Sequence, residues 1–229
     1  RNLQYLDCTS NNLTQLDVSA NKVLETLRCG KNRLISLNVK KNKVLAVLTC
    51  SINQIQSLNL KKNLALKELE CGANQLKSLD ISANTMLSRL SCTSNDMQKL
   101  TIGETSALEE LECSANSLKS LDMGKSKLLK DLNCSSNKLT NLDVSGAGAL
   151  EHLYCSANKI TSLNVKKNKA LITLSSSDNA LSSLNLSKNA ALEDLNCSFN
   201  ELGSLDVSIN ILLTELYCSS NQIESLDLS

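Results

Sequence analysis

Ten cysteines recur at one interval. Cys8, Cys29, Cys50, Cys71, Cys92, Cys113, Cys134 and Cys155 follow every 21 residues, Ser176 takes the next place, and Cys197 and Cys218 resume the series. Thiols can pair as disulfides, hold zinc or act as nucleophiles, and each use has a geometric requirement. A disulfide brings two Cβ atoms to about 3.8 Å. One residue per turn of a repeating chain instead stacks with parallel Cα–Cβ bonds at the strand spacing of about 4.8 Å. Zinc sites draw on close pairs such as Cys-x-x-Cys, and the sequence has none. The row therefore reads as a structural ladder of small, buried side chains, and it does not fix the redox compartment.

Other residues could in principle do acid–base work. The single histidine, His152, stands one 21-residue period after Asp131 and close to Tyr154, but no Ser or Cys nucleophile with an oxyanion pocket is evident beside it. Carboxylates are plentiful, and a pair about 5–10 Å apart is what glycoside hydrolysis needs. A flat wall without long loops cannot exclude water from such a pair, so no catalytic residue is assigned and no enzyme is expected. Neighbouring carboxylates one period apart, Asp122 with Asp143 and Asp206 with Asp227, could hold calcium. Short Asp and Asn side chains at a turn more often cap the local backbone, so neither metal nor cofactor is expected.

All these residues are positioned by a single period. Eleven units start at residues 1, 22, 43, 64, 85, 106, 127, 148, 169, 190 and 211, without insertion or deletion. With the cysteine at position 8 of each unit, positions 3, 6 and 16 are Leu throughout, position 13 is Leu, Ile or Met, and position 11 is Asn from Asn11 to Asn221. Between positions 5 and 8 polar and apolar residues alternate, the pattern of a half-buried strand. A second alternation at 16–18 predicts extended chain on the opposite wall. No window holds a helical period for three turns. Proline is absent where average usage would supply about eleven, which predicts backbone bonds between coils on both walls. The Asn at position 11 can satisfy the backbone of its own turn and the next. The pattern LxxLxCxxNxLxxLxV at a fixed period is the signature of a leucine-rich repeat solenoid. The expected fold is all-β: a right-handed superhelix of eleven 21-residue coils in one domain, 1–229, with a parallel sheet on its concave face and no long helix.

The same pattern, extended as LDVSxN, resembles the bacterial leucine-rich repeats with 21-residue units, and most of all the internalin-type repeats in which cysteine replaces one consensus leucine. The resemblance covers essentially the whole chain. It implies a slightly curved parallel-β solenoid, secreted or on the bacterial cell surface, that is non-enzymatic and binds proteins or other surfaces.

Specificity must then lie on outward positions. Positions 5 and 7 hold every tyrosine, Tyr5, Tyr154 and Tyr217, together with His152. Twelve of the 23 acidic residues occupy positions 4, 5 and 7, among them Glu68, Glu70, Glu110, Glu112 and Asp131, with Arg89 in their midst. These ten residues form the candidate binding face. Twelve of 20 lysines cluster instead at positions 19, 20 and 1, so one face is acidic and one edge basic. With 24 basic against 23 acidic residues the chain is near neutral, which gives no reason to expect nucleic acid as partner. No apolar run approaches the roughly 18–20 residues of a membrane span. The expected partner is a protein or a surface polymer. The first and last units read as ordinary repeats without cap residues, which raises an alternative: a structural subunit stacking head to tail into filaments.

Overall fold

A computed structural model describes residues 2–103, 107–124 and 126–228 of the chain. Each coil contributes one three-residue strand at positions 5–7, from Tyr5–Asp7 through Glu110–Glu112 to Glu215–Tyr217. Among the described residues eleven such strands form one parallel sheet whose order follows the chain. Each residue pairs with its equivalent one coil on, as Leu27 does with Leu48 and Leu153 with Leu174. Register is fixed because a slip of one residue would turn the position 6 leucine to solvent. Among the described residues no helix is long and apolar enough to cross a membrane.

The core is a set of stacked rows. Leu24, Leu27, Cys29 and Leu34 of the second coil are fully buried, as are Leu192, Leu195, Cys197 and Leu202 of the tenth. Burying one such leucine contributes roughly 1.5–3 kcal/mol. In the terminal coils the same rows, including Leu6, Cys8, Leu216 and Cys218, are only partly covered. The ten thiols are free.

On the opposite wall the sequence over-predicts pairing. Ser78–Asp80 pairs with Lys99–Thr101, and Leu142 and Leu163 form one bridge, but these are the pairings found there among the described residues. Local bonds compete for the backbone. The side-chain oxygen of an Asp or Asn at position 17 takes the N–H of position 19, as Asp143 does with Ser145 at 2.8 Å. Tight turns follow, in which Asn42 N–H donates to Val39 O at 3.0 Å and Leu45 N–H to Asn42 O at 3.2 Å. Most backbone bonds between coils lie instead on the strand side and in the turn after it. Cys29 N–H donates to Thr49 O at 2.8 Å, Lys31 to Ser51 at 2.9 Å and Arg33 to Leu13 at 2.9 Å. A proline at any of these positions would delete a bond between coils.

The asparagine at position 11 ties its own turn to the preceding coil. Asn74 Nδ2 donates to Cys71 O and Gly72 O within its turn and to Cys50 O of the coil before, while its Oδ1 accepts Ile55 N–H at 2.9 Å. Two features have no counterpart in the sequence reading. First, position 10 is left-handed in all eleven coils, although none has glycine there; Ile52 has φ 58° and Phe199 φ 55°. Such values are rare for bulky residues. Here the N–H of position 10 bonds the next coil, as Ile52 does to Gly72 O at 2.9 Å, which offsets the strain. Second, position 21 carries another asparagine row. Asn63 Nδ2 donates to Val39 O and Asn42 O of the preceding coil. Its Oδ1 is buried without a partner, as are those of Asn42, Asn84, Asn168, Asn189 and Asn210.

The thiol row makes three predictions. Ser176 Oγ is buried without a hydrogen-bond partner, and an unpaired buried hydroxyl costs about 1–3 kcal/mol. Ser176→Cys should therefore stabilise the protein by about 1–2 kcal/mol in chemical denaturation; a neutral or destabilising result would contradict a dry, thiol-shaped row. Burial also pushes the Cys29, Cys71, Cys113, Cys155 and Cys197 thiols up to about 12. The unfolded chain ionises near pH ~8.5, so the stability of the neutral row is complete below that pH and drains as pH climbs toward about 12. The denaturation midpoint should fall steadily above about pH 8.5. At neutral pH a thiol reagent should reach the half-buried Cys8 and Cys218 first and leave the other eight until unfolding. Rapid labelling of all ten in the native protein is the opposing outcome.

Candidate functional site

Strand pleating sends position 6 into the core and positions 5 and 7 outward, so the sheet carries two outward rows. The row at position 5 aligns Glu68 with Arg89, Arg89 with Glu110, Glu110 with Asp131 and Asp131 with His152. The row at position 7 runs from Glu70 past Ser91 to Glu112, then Asn133 and Tyr154. Eight of the ten candidate residues thus form one patch over five consecutive coils. Tyr5 and Tyr217 stand apart, in the first and last strands. Each is three coils, about 14 Å, from the nearest end of the patch.

The patch has internal electrostatics. Arg89 Nη2 meets Glu110 Oε2 at 2.8 Å, with side chains 60% and 35% exposed. A pair so open to water contributes about 0–1 kcal/mol, so its effect is on charge pattern rather than stability. Partial burial raises the Glu112 carboxyl above its ordinary range; a hydrogen bond from Asn133 opposes the rise, and the charges of Glu110 and Asp131 add to it. Asp194, farther along, is likewise raised by burial and by Glu215. Tyr217 O–H donates to Glu215 Oε2 at 3.0 Å, and that bond raises the phenol.

His152 lies in register between Asp131 and Thr173, and its Nδ1 stands 3.2 Å from Thr173 Oγ1. In the same two coils a hydroxyl network joins Ser156 to Ser175, which is in register with Tyr154, at 2.8 Å and to Ser177 at 3.0 Å. The carboxylates at position 17 spend an oxygen on the turn: Asp122 accepts from Gly124 N–H and Asp206 from Ser208 N–H. That bonding is the one expected of turn caps. Among the described residues no three His, Cys, Asp or Glu side chains gather closely enough to share a metal ion. Hollows of 280 and 400 Å³ lie on the other wall around Asp122 and Gly124, away from the strand face.

One set of exposed residues escaped the sequence reading. Position 2 carries Val23, Val44, Met86, Leu128 and Leu212, each between 42% and 54% exposed. The signal was present, since position 2 is apolar in ten of eleven units. It resembles a core row in composition, and burial alone separates the two.

No protein-family model and no curated protein matches the chain. Solved structures do. The functional domain of InlJ (internalin J) from Listeria monocytogenes, which includes a cysteine ladder, is 30% identical over 99% of this chain and 60% of its own, with a TM-score of 0.73. A leucine-rich repeat protein of Leptospira interrogans is 27% identical over 98% of this chain and 62% of its own, at 0.85. The LRIM1/APL1C complex matches at 25% identity over 99% of this chain and 45% of that one, at 0.86. The chain thus spans about three fifths of the length of the first two structures. By period, sheet and thiol row, the chain is a leucine-rich repeat solenoid of 21-residue units, and it resembles the bacterial cysteine-ladder repeats of internalin J.

Proposed function

We propose that this solenoid is a non-enzymatic recognition module that holds a protein or a surface polymer against its eleven-stranded face, outside the cell or at a bacterial surface. One observation carries the reading: the contrast between rows inside a single chain. Positions 3, 6, 11 and 16 are identical in all eleven units, while position 5 runs Tyr, Thr, Val, Glu, Arg, Glu, Asp, His, Thr, Asp, Glu. Rows that only maintain a solenoid have no need to differ from coil to coil. Rows that meet an irregular partner do.

The chemistry of the face favours a particular kind of contact. Tyr154 and Tyr217 are 37% and 52% exposed and offer rigid contact area, the usual material of binding hot spots. Glu70, Glu110, Glu112 and Asp131 make the centre acidic, which steers a basic surface toward it. The position 2 row adds apolar area three residues before each strand. The similar LRIM1/APL1C solenoid is described as a complex, which supports a protein partner here. The similarity to internalin J supports a surface or secreted location.

Replacing Tyr154 and Tyr217 with Ser should leave the fold and its denaturation midpoint nearly unchanged, because outward substitutions usually shift stability by about 0.5 kcal/mol or less. Binding of a partner captured by the immobilised chain should weaken by about 2 kcal/mol or more if either tyrosine is a hot spot. Full retention of binding by this variant and by Glu70→Lys with Glu112→Lys would remove the strand face as the site.

A further inference from the structure

The turn at positions 17–20 changes charge in a coordinated way. Mechanically, Asp and Asn at position 17 do the same work. Asp17 Oδ1 accepts Ser19 N–H at 2.8 Å, and Asn38 and Asn164 accept Lys40 and Lys166 N–H, each at 3.2 Å. Their distribution, however, follows the lysines. Asn38 precedes Lys40 and Lys41, Asn59 precedes Lys61 and Lys62, Asn164 precedes Lys166 and Lys167, and Asn185 precedes Lys188. Where position 17 is Asp and position 19 is present in a described coil, position 19 is Ser or Gly, as at Asp80 with Ser82 and Asp122 with Gly124. Lys125, outside the described residues, is the one lysine of these two positions that follows an Asp.

Thus each Lys-Lys pair sits on a turn whose cap has lost its carboxylate while keeping its hydrogen bond. If the lysines served only to keep the edge solvated, an Asp two residues away would serve equally and would neutralise them in part. The substitution leaves two cationic patches with no carboxylate at position 17 of their own turns. Lys40, Lys41, Lys61 and Lys62 occupy adjacent coils 2 and 3, and Lys166, Lys167 and Lys188 occupy coils 8 and 9; all are exposed. The charges at one position recur along the solenoid axis at about 4.8 Å. At the border of the first patch Lys61 Nζ meets Asp80 Oδ2 at 3.5 Å. Between the patches lie five coil steps, about 24 Å, carrying Asp80, Asp122 and Asp143.

We propose that this turn edge binds a linear polyanionic polysaccharide, bearing sulfate or carboxylate groups along its length, that lies parallel to the solenoid axis. Anionic groups carried sugar by sugar recur on the same scale as the coils, so successive lysine pairs meet successive charges. Single-stranded nucleic acid is favoured by aromatic side chains that stack bases, and all four aromatics lie elsewhere: Tyr5, Tyr154 and Tyr217 on the strands and Phe199 at position 10. A continuous anionic bilayer would press on the carboxylates between the patches, whereas a polymer can pass each patch separately. The site is independent of the strand face.

The test titrates the full chain with heparin as the probe, against neutral dextran, single-stranded DNA and anionic phospholipid vesicles. Heparin should bind and dextran should not, and the logarithm of affinity should fall linearly with the logarithm of salt between about 50 and about 200 mM. Asn38→Asp with Asn59→Asp keeps the turn bond and restores the missing charges. It should melt like the parent yet bind heparin roughly three- to tenfold more weakly, the scale of two surface charge pairs. Lys40→Gln, Lys41→Gln, Lys61→Gln and Lys62→Gln together should weaken it further. Unchanged heparin affinity in either variant would overturn the proposal, as would tighter binding of DNA or vesicles than of heparin.

Discussion

The hydrogen bonds of the position 11 asparagine are the constraint on which the rest of the solenoid depends. After each strand the chain must turn sharply inside a stack of coils, where water cannot reach every carbonyl. An unsatisfied buried backbone group costs as much as a lost hydrogen bond. One amide solves this for two coils at once. In the seventh coil Asn137 Nδ2 donates to Cys134 O and Ser135 O, and to Cys113 O of the coil before, while its Oδ1 accepts Leu118 N–H. The same four bonds recur for Asn53, Asn95 and Asn200. A shorter side chain could not reach the neighbouring coil, and an apolar one would orphan the carbonyls.

The small thiol at position 8 and the left-handed residue at position 10 lie next to this amide. The carbonyls of Cys50 and Cys71 are the ones to which Asn74 Nδ2 donates. Left-handed backbone at position 10 carries the chain back toward the core, and strain there persists because surrounding bonds over-determine it. With the frame held by inward rows, the outward rows are released from structural duty. That release is the physical reason one fold can present Glu110, His152 and Tyr154 in adjacent coils without cost to its core.

Much of this was legible in the sequence because the period repeats without a gap. Position 11, the leucine rows and the strand at 5–7 could be read from type and spacing alone. The coil-by-coil neighbours on the face, such as Arg89 beside Glu110, followed from the same 21-residue step. The second asparagine row was obscured by Thr105, Ser126 and Ala147, which interrupt it. The left-handed turns were invisible because residues such as Ile52 and Phe199 stand where glycine would have signalled them. Alternation at 16–18 reports burial and not pairing, hence the over-prediction on the second wall. For His152 the sequence supplies two neighbours in register, and only side-chain orientation selects Thr173 over Asp131.

The account is tested most directly by comparing two substitutions four residues apart in one coil, Asn74→Ala and Glu70→Ala, in chemical denaturation. Asn74 makes three donor bonds and one acceptor bond to backbone, and at about 1 kcal/mol each its loss should cost about 3–4 kcal/mol. Glu70 is exposed on the outward row, and its loss should cost about 0.5 kcal/mol or less. Similar, small effects from both would contradict a frame held by the amide ladder.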